Sequence, residues 1–406
     1  MSENNNIFDE YKVNYKFPSN FIWGTATSAH QTEGNNTNSD WYRWEQEKDY
    51  SKNDRKWPLE PSGIACDSYN RYEEDFDLAV GLNNNAVRIS IEWARIEPKE
   101  GEFNQKEIEH YKKVLKSAKK RKLKTFVTLH HFTNPIWFAD LGAFTNSKSK
   151  IYFSRYAKKV AEELGDLIDV FYTINEPQVY AMMSYLRGIW YPSKRNPFLF
   201  MYIQKNMMSA HKKAYEEIKN VNPSYQVGVV KNIVWYEAQK HFWDKIYAKF
   251  LNFVGADFFL LPVKKHLDTL GLNFYFTTYL NNFKTNNPDD FNSDLGWYID
   301  AKGLEKVLLT LRKFNLPVYI TENGCADATD RIRIRFIKEM LEACGRALDQ
   351  GVDLRGYFYW SLLDNYEWHQ GYWPKFGLVE IDRKNNLKRI PRKSYYFYKK
   401  QIAPDK

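Results

Sequence analysis

Cysteine is scarce in this sequence, because the 406 residues include only Cys66, Cys325 and Cys344. An odd number of cysteines without paired spacing argues against a disulfide framework and is typical of free thiols in a reducing compartment. The sequence also begins without the basic segment and apolar stretch that mark a secretory signal. We therefore expect a cytoplasmic protein that folds without disulfide bonds.

Long apolar runs are lacking as well, since no apolar run reaches the ~20 residues that a transmembrane helix needs. The net charge is +9, but the densest basic run, Lys119 to Lys122, closes a predicted helix and suits the negative end of its dipole. Aromatic residues do not alternate with these cations as they do in a nucleic-acid groove. We expect neither a membrane nor a nucleic-acid partner, and the sequence leaves the oligomeric state open.

Metal-binding patterns are absent too. Neighbouring residues on a strand point to opposite faces, so His130 and His131 cannot both bind one ion. No further histidine or cysteine stands at ligand spacing from them, which argues against a zinc site. We expect no metal and no cofactor.

The sequence does contain enough apolar material for a large core, with 43% hydrophobic residues and 17% aromatic residues, including 13 tryptophans. Apolar runs of strand length alternate eight times with segments of helical period. The predicted strands are FIWGTATSA (21–29), NAVRISIEW (85–93), KTFVTLHH (124–131), IDVFYTINEP (168–177), YQVGVVKN (225–232), LDTLGLNFY (267–275), LPVYITENG (316–324) and VDLRGYFYWSLLD (352–364).

Eight strand–helix units without a linker predict one α/β domain over residues 1–406, a closed (β/α)8 or TIM barrel, with residues 1–16 as an N-terminal extension. An open doubly wound sheet is the alternative, but its glycine-rich dinucleotide-binding turn is missing after the first strand. In such barrels the chemistry lies at the carboxyl ends of the strands. We therefore expect the catalytic residues among the polar residues at the carboxyl ends of the strands.

Two carboxylic acids stand at such ends, Glu176 after the fourth strand and Glu322 after the seventh. Barrel closure would place them across one opening, where one acid can protonate a leaving oxygen while the other meets positive charge at an anomeric carbon. Arg88 on strand two and Tyr275 after strand six could hydrogen-bond to Glu322 and favour its ionised form. An ionised Glu322 would leave a nearby Glu176 protonated at neutral pH.

The proline after Glu176 predicts the local backbone. Pro177 disfavours the helical region for the residue before it, so we expect Glu176 to be extended at the rim of the barrel. Asn175 would then point to the other side of the strand, unless the backbone twists at that position.

Six motifs carry a resemblance to a known family, and they occur in order along almost the whole chain. They are WGTATSAHQTEG, VRISIEWARIEP, TINEP, GLNFY, YITENG and WSLLDNYEWHQGYWPKFGLVEID. The sequence resembles glycoside hydrolase family 1, the β-glucosidase and β-galactosidase group. The resemblance implies a retaining exo-β-glycosidase acting on a small β-glycoside or oligosaccharide, with Glu322 as the nucleophile and Glu176 as the acid/base.

The resemblance also implies roles for further residues. Asn175 would bind the 2-hydroxyl of the sugar, Asn273 would support the nucleophile together with Arg88 and Tyr275, and Trp360 would lie under the sugar with a cis peptide bond after it. The remaining positions that match substrate-binding residues are Gln31, His131, Glu367, Trp368 and Phe376.

Three alternatives remain open. A 6-phospho-β-glycosidase would share the scaffold, but Glu367 would repel a phosphate, and Pro374 and Phe376 stand where such enzymes carry donors to it. A transglycosylase would use the same covalent intermediate, and a carbohydrate-binding barrel would have lost catalysis. Phe132 and Gln178 depart from residues common in the family, so the preference for the leaving group is open.

Overall fold

The computed structural model of the protein describes residues 10–48 and 58–402. Eight parallel strands form a closed barrel in which each strand pairs with its sequence neighbours and β1 pairs with β8. The strands are β1 (Ile22–Ala26), β2 (Ala86–Ser90), β3 (Lys124–His130), β4 (Val170–Asn175), β5 (Gln226–Asn232), β6 (Thr269–Asn273), β7 (Val318–Asn323) and β8 (Leu354–Trp360). The predicted (β/α)8 barrel is confirmed.

A long helix follows each strand and packs on the outside of the barrel. These helices are α1 (Ser68–Gly81), α2 (Gln105–Lys120), α3 (Ser149–Leu164), α4 (Pro197–Val221), α5 (Phe242–Val263), α6 (Ala301–Leu311), α7 (Arg333–Asp349) and α8 (Lys393–Gln401). After the fifth predicted strand, the segment KHFWDKIYAKFL (240–251) predicts a helix, and α5 continues for 12 residues past that range, from 252 to 263.

Helix α5 bears on the expectation that no apolar segment is long enough to cross a membrane. Among the described residues, Phe242–His266 is long and apolar enough to cross a bilayer by length and composition, with a mean hydropathy of 1.4. Lys245 and Lys249 interrupt the apolar residues of its first turns, so the sequence shows no uninterrupted run there. An 18-residue window nevertheless averages to a high hydropathy.

Shorter elements complete the fold, and most of them lie between a strand and the helix that follows it. The short helices and turns are Ala29–Thr32, Asp40–Gln46, Trp93–Ile96, Ile136–Asp140, Ala143–Thr145, Gly165–Leu167, Pro177–Ala181, Met182–Leu186, Lys264–His266, Arg312–Phe314 and Trp368–Gln370. Two small sheets were not predicted from the sequence. One consists of Trp235–Ala238 with Thr277–Asn281 and Lys284–Thr285, and the other of Val379–Asp382 with Lys388–Pro391.

The core has two layers that are separated by the strands. Apolar side chains such as Val127, Phe171 and Ile320 pack outward against the helices. Others, including Phe126 and Tyr172, fill the inside of the barrel. The three cysteines are buried free thiols, as expected.

The predicted N-terminal extension begins outside the described residues, since residues 1–9 are not described. Its later part packs on the barrel. The backbone N–H of Val13 donates to Gln401 Oε1 at 2.9 Å, and the hydroxyl of Tyr15 donates to Asp349 at 3.0 Å.

Candidate active site

A cavity of about 440 Å³ opens at the carboxyl ends of the barrel strands. This volume is in the range of small-molecule sites. Ten of the predicted site residues line the cavity: Gln31, His131, Asn175, Glu176, Tyr275, Glu322, Trp360, Glu367, Trp368 and Phe376. The other two, Arg88 and Asn273, are buried and hydrogen-bond to the carboxylates. The structure therefore brings all twelve predicted residues together.

Glu322 is held by a cation and a phenol. The guanidinium of Arg88, which is itself buried, donates to Glu322 Oε1. The hydroxyl of Tyr275 donates to the other carboxylate oxygen at 2.5 Å. Both oxygens are thus fixed, and the negative charge of Glu322 is paired while it faces the cavity.

The backbone of Glu176 differs from the prediction. Its φ of 43° and ψ of 56° lie in the left-handed region, so the expectation of an extended residue is wrong. The pairing of β4 with β5 shifts register between Tyr172 and Asn175, and Pro177 then begins the short helix Pro177–Ala181. A left-handed residue other than glycine is strained. Here that conformation lets the consecutive residues Asn175 and Glu176 both line the cavity.

Within residues 10–48 and 58–402, the side chain of Glu176 receives hydrogen bonds only from neutral amides. Asn273 donates to its Oε1 at 2.7 Å, and Asn232 donates to the same oxygen at 3.1 Å. Burial, followed by the negative charge of Glu322, raises the pKa of Glu176 from 4.5 to about 7, against the opposing effect of the two amides. Glu176 can therefore be either protonated or ionised near neutral pH.

Asn273 contacts a different carboxylate from the one expected. It was predicted to support Glu322, yet it donates to Glu176 and, at 3.3 Å, to Asn175 Oδ1. The reason is local, because the hydroxyl of Thr321 donates to Asn273 Oδ1 at 2.7 Å and fixes the amide. The Nδ2 group then points towards β4 instead of towards Glu322.

Asn232 is a site residue that was not predicted from the sequence. It is the last residue of β5, and the position at the carboxyl end of a barrel strand was the available signal. An asparagine carries no acid–base chemistry, so it did not stand out as the glutamates did. The preceding residue, Lys231, is buried, and burial lowers its pKa to about 7. Its ammonium donates to Gln178, one of the residues that depart from the family pattern.

Asn175 and His131 form the floor beside Glu176. Asn175 Oδ1 accepts hydrogen bonds from Arg88 at 2.7 Å and from Asn273, which leaves Nδ2 directed at His131 Nε2, 3.3 Å away. Burial, together with the charge of Arg88, holds the pKa of His131 well below its ordinary value, so the ring is neutral. His130 lies on the other side of the strand and contacts Asn134 at 3.1 Å, as the strand geometry predicted.

Polar acceptors and donors lie on the β1 and β8 side of the cavity. Gln31 is fixed by the hydroxyl of Ser28 at 2.6 Å and by the carbonyl oxygen of Tyr366 at 2.8 Å. Burial, followed by the charges of Glu322 and Glu176, raises the pKa of Glu367 to about 8. Among the described residues no donor reaches the Glu367 carboxylate, so its oxygens are available to a ligand.

Aromatic rings enclose the same side. The ring of His131 lies parallel to those of Trp360 and Trp368, with centroids 6.2 and 6.0 Å away. The peptide bond between Trp360 and Ser361 is cis, as the resemblance implied. Such rings offer flat apolar surfaces to a ligand whose edges are polar.

The β4, β5 and β6 side of the cavity is apolar by contrast. Val179, Met182 and Met183 come from the segment after β4, while Val234 and Phe276 follow β5 and β6. Among the described residues no group of three or more His, Cys, Asp or Glu side chains is arranged to hold a metal ion. The site is therefore polar on one side, apolar on the other, and has two carboxylates between them.

A closed (β/α)8 barrel with two buried carboxylates at one opening is characteristic of a glycoside hydrolase. The chain belongs to glycosyl hydrolase family 1, whose family model matches residues 13–265 and 237–406. The protein is thus an enzyme that cleaves glycosidic bonds, and the resemblance inferred from the six motifs is confirmed.

Similar proteins extend over nearly the whole chain. β-Glucosidase A of Thermotoga maritima is 30% identical over 438 residues, covering 94% of this chain and 97% of the relative. The solved structure of a β-glycosidase from Pyrococcus horikoshii has a TM-score of 0.87 and 35% identity, covering 95% of this chain and 94% of that chain. A β-glucosidase from Thermotoga maritima in complex with deoxynojirimycin has a TM-score of 0.87 and 28% identity, covering 96% and 98%.

Proposed function

We propose that the protein is a retaining exo-β-glycosidase that hydrolyses unphosphorylated β-glucosides and β-galactosides. The main support for this proposal is the contrast between the two carboxylates. Glu322 is paired with Arg88, whereas the pKa of Glu176 is raised to about 7. A carboxylate nucleophile and a carboxylic acid in one cavity are what a retaining double displacement requires.

In the first step, Glu322 attacks the anomeric carbon while the bond from that carbon to the leaving oxygen breaks. Glu176 gives its proton to that oxygen, so the aglycone departs as a neutral alcohol. The negative charge of Glu322 is consumed in the new ester bond, which removes one cause of the raised pKa of Glu176.

In the second step, Glu176 acts as a base. Its carboxylate takes a proton from water, whose oxygen attacks the anomeric carbon and releases Glu322. The amide groups of Asn273 and Asn232 suit both steps, because they hold the carboxyl group in place without the full charge that would keep it ionised.

Sugar recognition would use the polar side of the cavity. Asn175 Nδ2 would donate to the 2-hydroxyl with the N–H that is not directed at His131, since Asn175 Oδ1 is occupied by Arg88. Glu367 and Gln31 would bind the hydroxyls at the far edge of the sugar, and Trp360 would contact its face.

The cavity favours a neutral sugar over a 6-phosphosugar. Glu367 offers acceptors to a hydroxyl but no positive charge to pair with a phosphate, which it would repel when ionised, and Phe376 is buried and apolar. Among the described residues that line the cavity, Arg187 is the one lysine or arginine, and it is exposed at the rim. We also retain the proposal of a cytoplasmic location, which the three buried free thiols support.

A panel of aryl β-glycosides tests the proposal directly. We expect the gluco and galacto substrates to have the highest kcat/KM and the 6-phosphoglucoside to be hydrolysed at least 100-fold less efficiently. Binding without turnover in folded protein would indicate a carbohydrate-binding barrel, and glycosyl transfer to an added acceptor in place of hydrolysis would indicate a transglycosylase.

Azide rescue assigns the roles of the two acids. Glu322→Gly should abolish hydrolysis, and azide should restore it on an activated aryl β-glycoside with formation of the α-glycosyl azide. Glu176→Ala should retain glycosylation of that substrate and give the β-glycosyl azide. An α-azide from Glu176→Ala would show that the roles are reversed.

A further inference from the structure

The outer side of α5 carries a continuous group of exposed apolar side chains. Five of them lie on α5 itself and are between 46% and 67% exposed. Phe283, at the turn after Thr277–Asn281, extends the group and contacts Tyr247 of α5 at a ring distance of 5.6 Å. This apolar face consists of Phe242, Trp243, Ile246, Phe250, Phe253 and Phe283.

The apolar face lies at the end of the barrel where the cavity opens. Helices α4 and α5 follow the neighbouring strands β4 and β5, so both begin at the carboxyl ends of the strands. The first turns of α4 also expose Phe198, Met201 and Tyr202, and Phe198 is 84% exposed. An exposed apolar area of this extent on a folded enzyme indicates an interaction site.

Positive charge borders the apolar face. Lys240, Lys245, Lys249 and Lys284 are exposed beside it. The two acidic residues between positions 237 and 253 are both engaged. Buried Asp244 accepts the backbone N–H groups of Asn282 and Phe283 at 2.9 and 2.8 Å, and Glu237 pairs with Lys306. The lysines therefore remain available to an anionic partner.

We infer that this face docks the enzyme on an anionic lipid surface, and that its substrates include β-glycosides whose apolar aglycone is embedded in that bilayer. The substrate part rests on the proposed β-glycosidase function. Helices that lie in the headgroup region of a membrane typically carry exposed Phe and Trp between lysines. The rings enter the apolar layer, and the ammonium groups contact anionic lipids. A membrane partner was not expected from the sequence.

Helix α5 would lie on the bilayer and not cross it. Its inner side, including Ala248, Ala256, Phe259 and Leu260, is buried against the rest of the protein. A spanning orientation would remove these residues from the core and place Asp244 in the membrane. The length and hydropathy of α5 therefore reflect two apolar sides, one that faces the barrel and one that faces outward.

A second copy of the chain fits the same face less well. A two-fold dimer would place identical patches against each other, so the lysines that border the face would come close to those of the partner. Each chain also carries a net charge of +9. Anionic lipid complements this charge, whereas a second copy repels it.

The apolar face is connected to the apolar side of the cavity by a small hydrogen-bonded sheet. Val234 and Phe276 line the cavity, and the residues after them, Trp235–Ala238 and Thr277–Asn281, pair with each other. Asn252 of α5 exchanges two hydrogen bonds of 2.9 Å with the backbone of Tyr236 in that sheet. An aglycone that leaves the cavity on this side would therefore leave towards the docked bilayer.

Vesicle co-sedimentation tests the docking. We expect the full chain to bind phosphatidylcholine vesicles containing phosphatidylglycerol, to bind pure phosphatidylcholine vesicles at least tenfold more weakly, and to lose binding in high salt. Lys240→Glu with Lys245→Glu and Lys249→Glu should weaken binding roughly 100-fold or more. Equal binding to both vesicle types, or none to either, would overturn the inference.

Matched variants show whether vesicle binding depends on the apolar face itself or only on net charge and overall hydrophobicity. A control variant replaces exposed lysines of α2 with glutamate, Lys106→Glu with Lys113→Glu and Lys116→Glu. It changes the net charge by the same amount as the variant on α5 and should reduce vesicle binding less than tenfold. Trp243→Ser with Phe250→Ser should abolish binding without changing the far-ultraviolet circular dichroism. Loss of a dimer in these serine variants, measured by analytical ultracentrifugation, would show that a second copy occupies the face and would overturn the inference.

Two substrates distinguish this inference from the proposed function. With a soluble aryl β-glucoside, the serine variants and the wild type should have equal kcat/KM. With a dodecyl β-glucoside in anionic vesicles, the serine variants should be at least tenfold slower. No activity of the wild type on the soluble substrate would refute the proposed function, whereas equal rates of variant and wild type on vesicles would refute the docking alone.

Discussion

Removal of Asn232 should make Glu176 hold its proton to higher pH. Asn232 Nδ2 donates to Glu176 Oε1 at 3.1 Å, and this hydrogen bond favours the ionised carboxylate. A hydrogen bond to a charged group contributes about 1.5 kcal/mol, which corresponds to roughly one pH unit. The pKa of Glu176 is about 7 in the intact protein and should rise to about 8 in Asn232→Ala.

The pH dependence of kcat/KM for a phenyl β-glucoside measures this change. Phenol needs a proton to leave, so kcat/KM should fall as the pH rises through the pKa of Glu176 in the free enzyme. The fall should begin near pH 7 in the wild type and about one unit higher in Asn232→Ala. Asn273 is a less suitable choice for substitution, because it also donates to Asn175.

A dinitrophenyl β-glucoside is the control, because its leaving group departs without a proton. The fall assigned to Glu176 should be absent with this substrate in both proteins. A fall that persists would belong to another group, such as Glu367 with its pKa of about 8. If Asn232→Ala leaves the phenyl glucoside profile unchanged, or moves it to lower pH, then the amide does not stabilise the ionised acid and the reasoning fails.

Three further predictions follow from single contacts. Tyr275→Phe removes the 2.5 Å hydrogen bond to Glu322 and should lower kcat/KM for an aryl β-glucoside about 10- to 100-fold; unchanged kinetics would contradict a role for the hydroxyl. The side chain in Glu176→Gln cannot ionise. In the wild type, folding raises the pKa of Glu176 from 4.5 to about 7, so the folded state loses stability as the pH rises from 4.5 to 7. Urea unfolding should show the variant to be more stable by up to about 3 kcal/mol above pH 7 and by little below pH 4.5, and an equal difference at both would refute the linkage. Gly324→Ala would place a Cβ 1.7 Å from the carbonyl oxygen of Trp360. Thermal unfolding should therefore show that the free energy of unfolding falls by at least about 3 kcal/mol, and an unchanged Tm would contradict the close contact.

The barrel was predictable because its strands are buried on both faces and read as short apolar runs between helical segments. The positions of Glu176 and Glu322 followed from the same pattern, since a carboxylate at the end of such a run must face the opening or be paired. These inferences need only the order of residues along single strands.

Features that depend on contacts between strands were not predictable in this way. The left-handed backbone of Glu176 accompanies a register shift between β4 and β5, and a similar shift separates Ile320 from Glu322 in the pairing of β7 with β6. The Thr321 hydroxyl that turns Asn273 towards Glu176 lies on a different strand from Asn273. None of these relations has a signal within one sequence segment.

The full length of α5 was missed for a related reason. Gly255 and Pro262 are residues that usually end a helix, yet both lie inside Phe242–Val263. Burial of Ala256, Phe259 and Leu260 stabilises the helix past the glycine, which is an effect of tertiary packing that outweighs local propensity.

The different donors around the two acids explain how one cavity can keep them in opposite protonation states. Arg88 brings a full positive charge to Glu322, whereas Asn232 and Asn273 bring only amide dipoles to Glu176. Burial penalises the ionised form of Glu176 more than these dipoles favour it, so its pKa reaches about 7. A lysine or arginine in place of either asparagine would lower that pKa and remove the proton that the leaving group needs. The amides still hold the carboxylate in position after the proton is transferred, and therefore the same two side chains can serve Glu176 as an acid and then as a base.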